Sequence, residues 1–363
     1  MQPILTVSNQ LVRTGFASKS GAAEASANAA AALAPPLRSW QEAMRLAIRD
    51  VDQLRQRLHL PPDPTPQVAH AQQGFATFVP LEFLSRIRPG DPHDPLLRQV
   101  LPVSAEAQTQ PGFIADPVGD SAARVSTGLL QKYAGRALLI ATGVCGVHCR
   151  YCFRRQFDYS PSSEADAGRQ FQAAIDYLRR HESLDEVILS GGVPLTLSDG
   201  RLDKLVTDIE AIPHVRRLRI HSRMPIVIPQ RVTEELVTRW RTSRLAVWMV
   251  IHCNHAQEID AAVGEALDRM LDQGIPVLNQ AVLLAGVNDD VETLAELCRE
   301  LINRRVQPYY LHQLDRVAGA AHFEVPLERG RELIAALRAR LPGYAVPTFV
   351  SEIAGETSKR PNG

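Results

Sequence analysis

Residues 137–155 read Ala-Leu-Leu-Ile-Ala-Thr-Gly-Val-Cys-Gly-Val-His-Cys-Arg-Tyr-Cys-Phe-Arg-Arg: an apolar run, three cysteines and a pair of arginines. The run 137–142 has the composition of a buried strand. Directly behind it Cys145, Cys149 and Cys152 stand as C-x-x-x-C-x-x-C, in a chain with 5 cysteines in all. A cubane iron-sulfur cluster is normally held by four thiolates, so a three-cysteine loop leaves one iron open for a substrate or cofactor. A structural zinc site is the alternative, but such sites usually complete a tetrahedron with a fourth Cys or His at short spacing. His148 is the only candidate nearby, and it lies between two of the cysteines, where its side chain is expected to point elsewhere.

Beyond this stretch the chain alternates β-like apolar runs with longer helical ones, the pattern of repeated βα units on a parallel sheet. Strands are expected at 136–142, 185–190, 216–221, 245–252, 277–284 and 306–312, with helices near 164–181, 201–211, 231–241, 256–273 and 290–304. Six such units predict an α/β fold, an open, partial (β/α)6 barrel, and 344–350 offers one more strand. In βα barrels chemistry sits at the carboxyl ends of the strands. The cysteines follow the first strand and so belong to that rim.

Upstream, 40–60 is predicted as one amphipathic helix (Trp40, Met44, Ala47, Val51, Leu54, Leu58), followed by a Pro-rich break and a second helix from 80 to 87. Residues 1–39 predict a disordered extension, 40–120 a helical accessory region that packs on the barrel, 121–342 the barrel, and 343–363 a last strand and tail. The 363 residues carry 40 Lys+Arg against 40 Asp+Glu, so no global positive field exists to hold nucleic acid or an anionic membrane. No apolar run approaches the roughly 20 residues needed to span a bilayer. Few cysteines, most of them in one loop, argue against disulfides and for a reducing, cytoplasmic setting. Cys253 and Cys298 read as small buried side chains.

Three further segments carry chemical options. Ser190-Gly191-Gly192-Val193 follows the second strand, and its paired glycines would let backbone approach a cofactor or simply form a βα turn. Arg154 and Arg155 stand beside the cysteines and suggest an anionic ligand such as an amino-acid carboxylate, with a surface ion pair as the alternative. Lys359 lies in a Gly/Ser/Thr setting near the end of the chain. A positioned lysine forms a Schiff base with pyridoxal phosphate; a tail lysine is otherwise just solvated.

The cysteine spacing resembles that of the radical S-adenosylmethionine enzymes, and the ordered motifs together resemble the lysine 2,3-aminomutases. The likeness is closer to their short bacterial branch, the elongation factor P (R)-β-lysylation enzymes. It runs from about residue 78 to the end and rests on Asp94-Pro-Leu-Leu-Arg-Gln-Val100, Gly128-Leu-Leu-Gln-Lys-Tyr133, the cysteine loop, Arg219-Ile-His-Ser-Arg223, Ile228-Pro-Gln-Arg231, His252-Cys-Asn-His255, Gln280-Ala-Val-Leu-Leu284, Gly286-Val-Asn-Asp289, Pro308-Tyr-Tyr310, His322-Phe323 and Gly343-Tyr-Ala-Val-Pro-Thr-Phe349.

That resemblance implies a [4Fe-4S] cluster on Cys145, Cys149 and Cys152, S-adenosylmethionine on its open iron, and pyridoxal 5'-phosphate on Lys359. It implies that Arg154 grips the substrate carboxylate while Asp315 and Glu352 pair with the ε-ammonium of L-lysine. Tyr133 and Arg136 fall around the coenzyme, and Ser190, Gly191, Gly192, His252 and Gln280 near the adenosyl cofactor. The product would be (R)-β-lysine, attached to elongation factor P by a separate lysyl ligase, with an electron donor such as flavodoxin or ferredoxin. Two departures stand out. The family commonly has Asp where this chain has Val193, and the chain stops 4 residues after Lys359, without the extension that longer members use in subunit association. Action on another amino acid such as glutamate, and a cluster-binding homologue with impaired turnover, are the alternatives.

Overall fold

The computed structural model describes residues 39–159 and 164–363, without the side chains of 164–170. The extension expected at 1–39 falls, but for Ser39, outside the described residues. Ten strands form one sheet in chain order: β1 (Arg124–Ser126), β2 (Leu129–Tyr133), β3 (Arg136–Thr142), β4 (Glu186–Gly191), β5 (Arg217–Ser222), β6 (Ala246–Ile251), β7 (Val277–Val282), β8 (Gln307–His312), β9 (Thr348–Ser351) and β10 (Arg360–Pro361). Pairing from β3 to β9 is parallel throughout, and β1, β2 and β10 add antiparallel edges. The sheet is therefore open, with β1 at one end and β10 at the other.

The six expected strands lie within a residue or two of their predicted bounds, because each is a short run whose apolar residues are buried, most of them rich in β-branched residues or leucine and β8 in tyrosine. The crossover helices Glu164–Arg180, Asp199–Glu210, Glu234–Arg241, Ala261–Asp272 and Val291–Asn303 also match. Ala261–Asp272 starts later than predicted because Asp260 caps it, its side chain accepting the Val263 N–H at 2.9 Å. The last strand is shifted to β9 since Gly343–Ala345 forms a 3-10 turn first. No helix among the described residues is long and apolar enough to cross a membrane.

Several elements were not anticipated, among them helix Pro66–Gly74, strands β1 and β2, helix Leu327–Arg338 and β10. The β1–β2–β3 ribbon turns at Gly128 (φ 73°) and Gly135 (φ 76°), both left-handed positions that favour glycine. Helix Leu327–Arg338 carries Gly330 in mid-run, which weakens the helical signal. A Cβ on Gly330 would stand 2.3 Å from Phe349 Cζ, so the glycine is there to let β9 close against the helix. β10 pairs only Arg360 and Pro361, opposite Ser351 and Val350.

The single helix expected over 40–60 is a pair, Trp40–Arg45 and Val51–Arg57. Between them Ile48 bridges Val79, and Asp50 caps the second helix by accepting the Gln53 N–H at 2.8 Å. The helix expected at 80–87 is the short turn Leu81–Leu84. This N-terminal region does more than cover the barrel. Its Glu106 carboxylate, buried, accepts Arg150 Nε at 2.8 Å, Arg150 Nη2 at 2.6 Å and Arg155 Nη2 at 2.7 Å, and Arg150 also donates to the Ala71 and Phe75 carbonyls. Arg150 and Arg155 belong to the cysteine loop, so the accessory region clamps it from outside.

Removing one side of a buried ion pair leaves the other charged and unpaired, at a cost of about 3–5 kcal/mol. Glu106→Gln is therefore expected to lower the unfolding free energy by at least about 3 kcal/mol in anaerobic urea titrations. A loss below roughly 0.5 kcal/mol, the range of an ordinary surface change, would show that the clamp does not hold the loop.

Candidate active site

One cavity of about 710 Å³ opens between the strands, within the roughly 300–1,000 Å³ typical of ligand pockets. Its wall takes side chains from the start of β3 (Arg136), from mid-strand positions (Arg219, Tyr310) and from the carboxyl ends of strands and the loops that follow (Cys149, Cys152, Arg154, Ser190, His252, Asp315). Tyr133, Gln280, Glu352 and Lys359 line it as well. Sequence positions more than 200 apart thus meet in one space.

Three proposed residues do not face it. Cys145 packs partly against the main apolar core. Gly191 and Gly192 instead make a backbone contact: Gly192 N–H donates to the Thr142 carbonyl at 2.7 Å, and a Cβ on Gly192 would stand 2.5 Å from the Val144 oxygen and 2.8 Å from Gly143 C. The glycines are required because the end of β4 touches the start of the cysteine loop. Val193 continues this contact, its N–H bonded to the Val144 carbonyl at 2.8 Å, and its side chain is buried in the core. Val193 therefore lies outside the cavity wall.

The cysteine loop is a soft, three-sulfur donor set suited to iron-sulfur chemistry. Among the described residues no group of three His, Cys, Asp or Glu side chains is placed to hold a single metal ion. His148 is turned away, its Nδ1 2.7 Å from the Ala76 carbonyl and its ring stacked on Phe75. Burial, and then the neighbouring Cys149 sulfur, pushes the Cys152 thiol up to about 11, and burial raises Cys145 as well. Bonding to iron would replace those protons.

Opposite charges are threaded through the cavity. Arg154 Nε is 2.6 Å from Asp120 Oδ2, and its Nη1 donates to Ser190 Oγ at 3.2 Å. Lys132 Nζ lies 2.7 Å from Asp120 Oδ1 and 3.4 Å from Glu352 Oε1. Glu352 Oε1 accepts Tyr133 Oη at 2.7 Å, and its Oε2 pairs with Lys359 Nζ. Burial alone would raise the Glu352 carboxyl, but Lys359, Tyr133 and Lys132 hold it below the usual range. Asp315 differs: burial raises it to about 7, only partly opposed by Lys359.

Three imidazoles in the wall are held neutral. Burial, then Lys359, pushes His312 down to about 3; burial, then Arg219 and Lys359, lowers His221; burial, then Arg223, pushes His252 to about 4. His252 Nδ1 is 2.7 Å from the Gln280 carbonyl, so it carries the proton and Nε2 is an acceptor. Arg136 lies over the Tyr133 ring at 4.5 Å and adds a cationic group to the wall, beside Arg219, which pairs with Glu186 at 3.0 Å. An amine, cations for a phosphate and room for two ligands make a fit to pyridoxal phosphate beside S-adenosylmethionine.

Of the two arginines after Cys152, Arg155 is the structural one. It is spent on Glu106 and on the Arg150 and Gly319 carbonyls, and only Arg154 reaches the cavity. Sequence reasoning missed Asp120 and Lys132, which link Arg154 to Glu352, and His221 and His312. No motif marks Asp120; Lys132 and His221 lie inside the quoted motifs Gly128–Tyr133 and Arg219–Arg223, but nothing in those motifs singled them out.

No protein-family model matches the chain. The L-lysine 2,3-aminomutase of Escherichia coli (strain K12) is 44% identical over 328 residues, which are 90% of this chain and 95% of that protein. That of Haemophilus influenzae is 41% identical over 323 residues, 88% and 94% of the two chains, and that of Clostridium subterminale 36% over 322 residues, 89% and 77%. Among solved structures, Streptococcus suis SuiB bound to precursor peptide SuiA aligns over 62% of this chain and 50% of that chain, with a TM-score of 0.47 and 14% identity, a likeness too slight to add to the fold already described. With nine-tenths of its length aligned at up to 44% identity, the chain belongs to the L-lysine 2,3-aminomutase family.

Proposed function

We propose that the protein is a radical S-adenosylmethionine and pyridoxal phosphate dependent L-lysine 2,3-aminomutase, an isomerase that makes (R)-β-lysine. One observation carries the reading: a single cavity is lined by the motif cysteines Cys149 and Cys152 together with Arg154, Asp315, Glu352 and the Lys359 amine. Cys145, Cys149 and Cys152 would hold the cluster, Lys359 the coenzyme, and Arg136 and Arg219 its phosphate. Bound together, the cluster with S-adenosylmethionine supplies a hydrogen-abstracting radical and the pyridoxal ring a π-bonded acceptor across which an amino group can migrate.

The chain's own residues set substrate choice. Arg154 matches a carboxylate with its planar fork, while Asp315 and Glu352 form the far end for an ε-ammonium. Asp120 and Lys132 tie these ends together, so the distance between them is fixed by ion pairs and measures the substrate's length. The neutral imidazoles of His221, His252 and His312 add no competing cation. As parts of the same proposal, the enzyme works in the cytoplasm, receives electrons from a flavodoxin or ferredoxin, and provides β-lysine for elongation factor P. The likeness to the short bacterial branch supports that destination.

Anaerobic protein reconstituted with iron and sulfide, given L-lysine, both cofactors and a strong reductant, is expected to form (R)-β-lysine on chiral amino-acid analysis. Intact cluster and loaded coenzyme without β-lysine would contradict the assignment. Lys359→Ala is expected to abolish both turnover and the absorption band of lysine-bound coenzyme; a surviving band would place the bond elsewhere.

Asp315→Asn removes a charged partner of the ε-ammonium, worth roughly 1.5–3 kcal/mol, and should raise KM for lysine by about 10- to 100-fold. Unchanged KM would favour another amino acid as substrate. Because Asp315 is ionised only above about 7 while the substrate ammonium stays charged, kcat/KM should climb as pH rises through about 7. A profile flat down to pH about 6 would mean that Asp315 does not bind substrate.

A further inference from the structure

Against Cys149 lies a buried polar cluster of which Arg223, Gln99 and Glu258 stand outside the cavity lining and are not used by the proposed reaction. Arg223 follows β5 and is almost wholly buried. Its Nη1 stands 2.7 Å from Cys149 Sγ and 2.8 Å from Tyr151 Oη; its Nη2 donates to Gln99 Oε1 at 2.6 Å and to Glu258 Oε2 at 2.8 Å. Glu258 has no exposed surface, and its other oxygen accepts the Asn254 N–H at 2.9 Å and Gln99 Nε2 at 3.1 Å. Tyr151 Oη in turn lies 2.7 Å from His252 Nε2, on the cavity wall.

One terminal nitrogen of a buried cationic group thus reaches a sulfur of the motif, and the counter-charge is held on the other terminal nitrogen. Iron-sulfur potentials respond to hydrogen bonds on the ligating sulfurs, to net charge and to exposure. Adding an electron to a cluster adds negative charge, which a nearby guanidinium stabilises more than it stabilises the oxidised form. We infer that Arg223 is a positioning residue that donates to the Cys149 sulfur and raises the reduction potential of the cluster, with Glu258 setting how much of that charge the sulfur feels. The inference rests on the cluster assignment of the proposed function, but not on lysine, pyridoxal phosphate or turnover.

The two members of the pair act in opposite directions, which separates an electrostatic role from simple loss of packing. Full-length protein, reconstituted anaerobically, is titrated with dithionite and the one-electron reduced cluster followed by electron paramagnetic resonance. Arg223→Gln should keep the cluster, since all three cysteines remain, and shift its midpoint to a more negative potential. Arg223→Lys keeps the charge without the planar fork and should fall between that variant and the parent. Glu258→Gln leaves the guanidinium uncompensated and should shift the midpoint to a more positive potential. An unchanged midpoint in Arg223→Gln, or shifts of the same sign in Arg223→Gln and Glu258→Gln, overturns the inference. If Arg223→Gln does not fold, the sign of the Glu258→Gln shift decides alone: positive supports it, zero or negative overturns it. A parent protein without any cluster would instead sink the proposed function.

Discussion

Pairing between buried carboxylates and guanidinium groups is the constraint on which this molecule turns. Three acids, Glu106, Asp120 and Glu258, surround the cysteine loop from different segments of the chain, and each meets an arginine of the loop or directly behind it. Such pairs do not add much net stability over well-packed apolar side chains, because desolvation offsets most of their attraction. They do fix position. A misplaced loop would leave several charges buried and unpartnered, so the loop has one low-energy placement relative to the cavity. Radical chemistry requires such a placement, because a reactive group must meet one carbon of the substrate in a closed space.

The backbone supplies the second constraint. Where β4 ends, Gly191 and Gly192 lie against Thr142–Val144 with no room for a Cβ, and the N–H groups of Gly192 and Val193 bond to the carbonyls of Thr142 and Val144. The strand end and the cysteine loop therefore form one backbone unit. The Glu106 and Glu258 pairs hold this unit at residues that do not line the cavity, while the Arg154–Asp120 pair belongs to the cavity wall. The same residues that look like a cofactor-binding turn act first as the seat of the loop.

Much of this could be anticipated from the chain alone. The parallel strands carry compact apolar runs between helices of regular period, so the partial barrel is written in local patterns, and the cysteine spacing is itself the chemical signal. Arg154, Asp315, Glu352 and Lys359 are another matter: composition places none of them, and only a family likeness brought them together before the cavity did. The misjudged parts share one cause, tertiary context overriding a local pattern. Asp50 and the Ile48–Val79 bridge break an otherwise continuous helical stripe. Gly330 hides a helix because it yields space to Phe349. Arg154 and Arg155 are neighbours of identical type, yet which one faces the cavity depends on Asp120 and Glu106, acids far apart from them in the chain. Nothing local distinguishes the two.

Everything rests on three sulfurs holding a cluster with one iron free of protein ligands. Mössbauer spectroscopy of iron-57 reconstituted protein, kept free of oxygen, addresses this most directly. A single site of the cluster should change its parameters when S-adenosylmethionine is added, while the remaining irons stay as they were. Zinc in place of iron, or four iron sites that all ignore S-adenosylmethionine, would contradict the account.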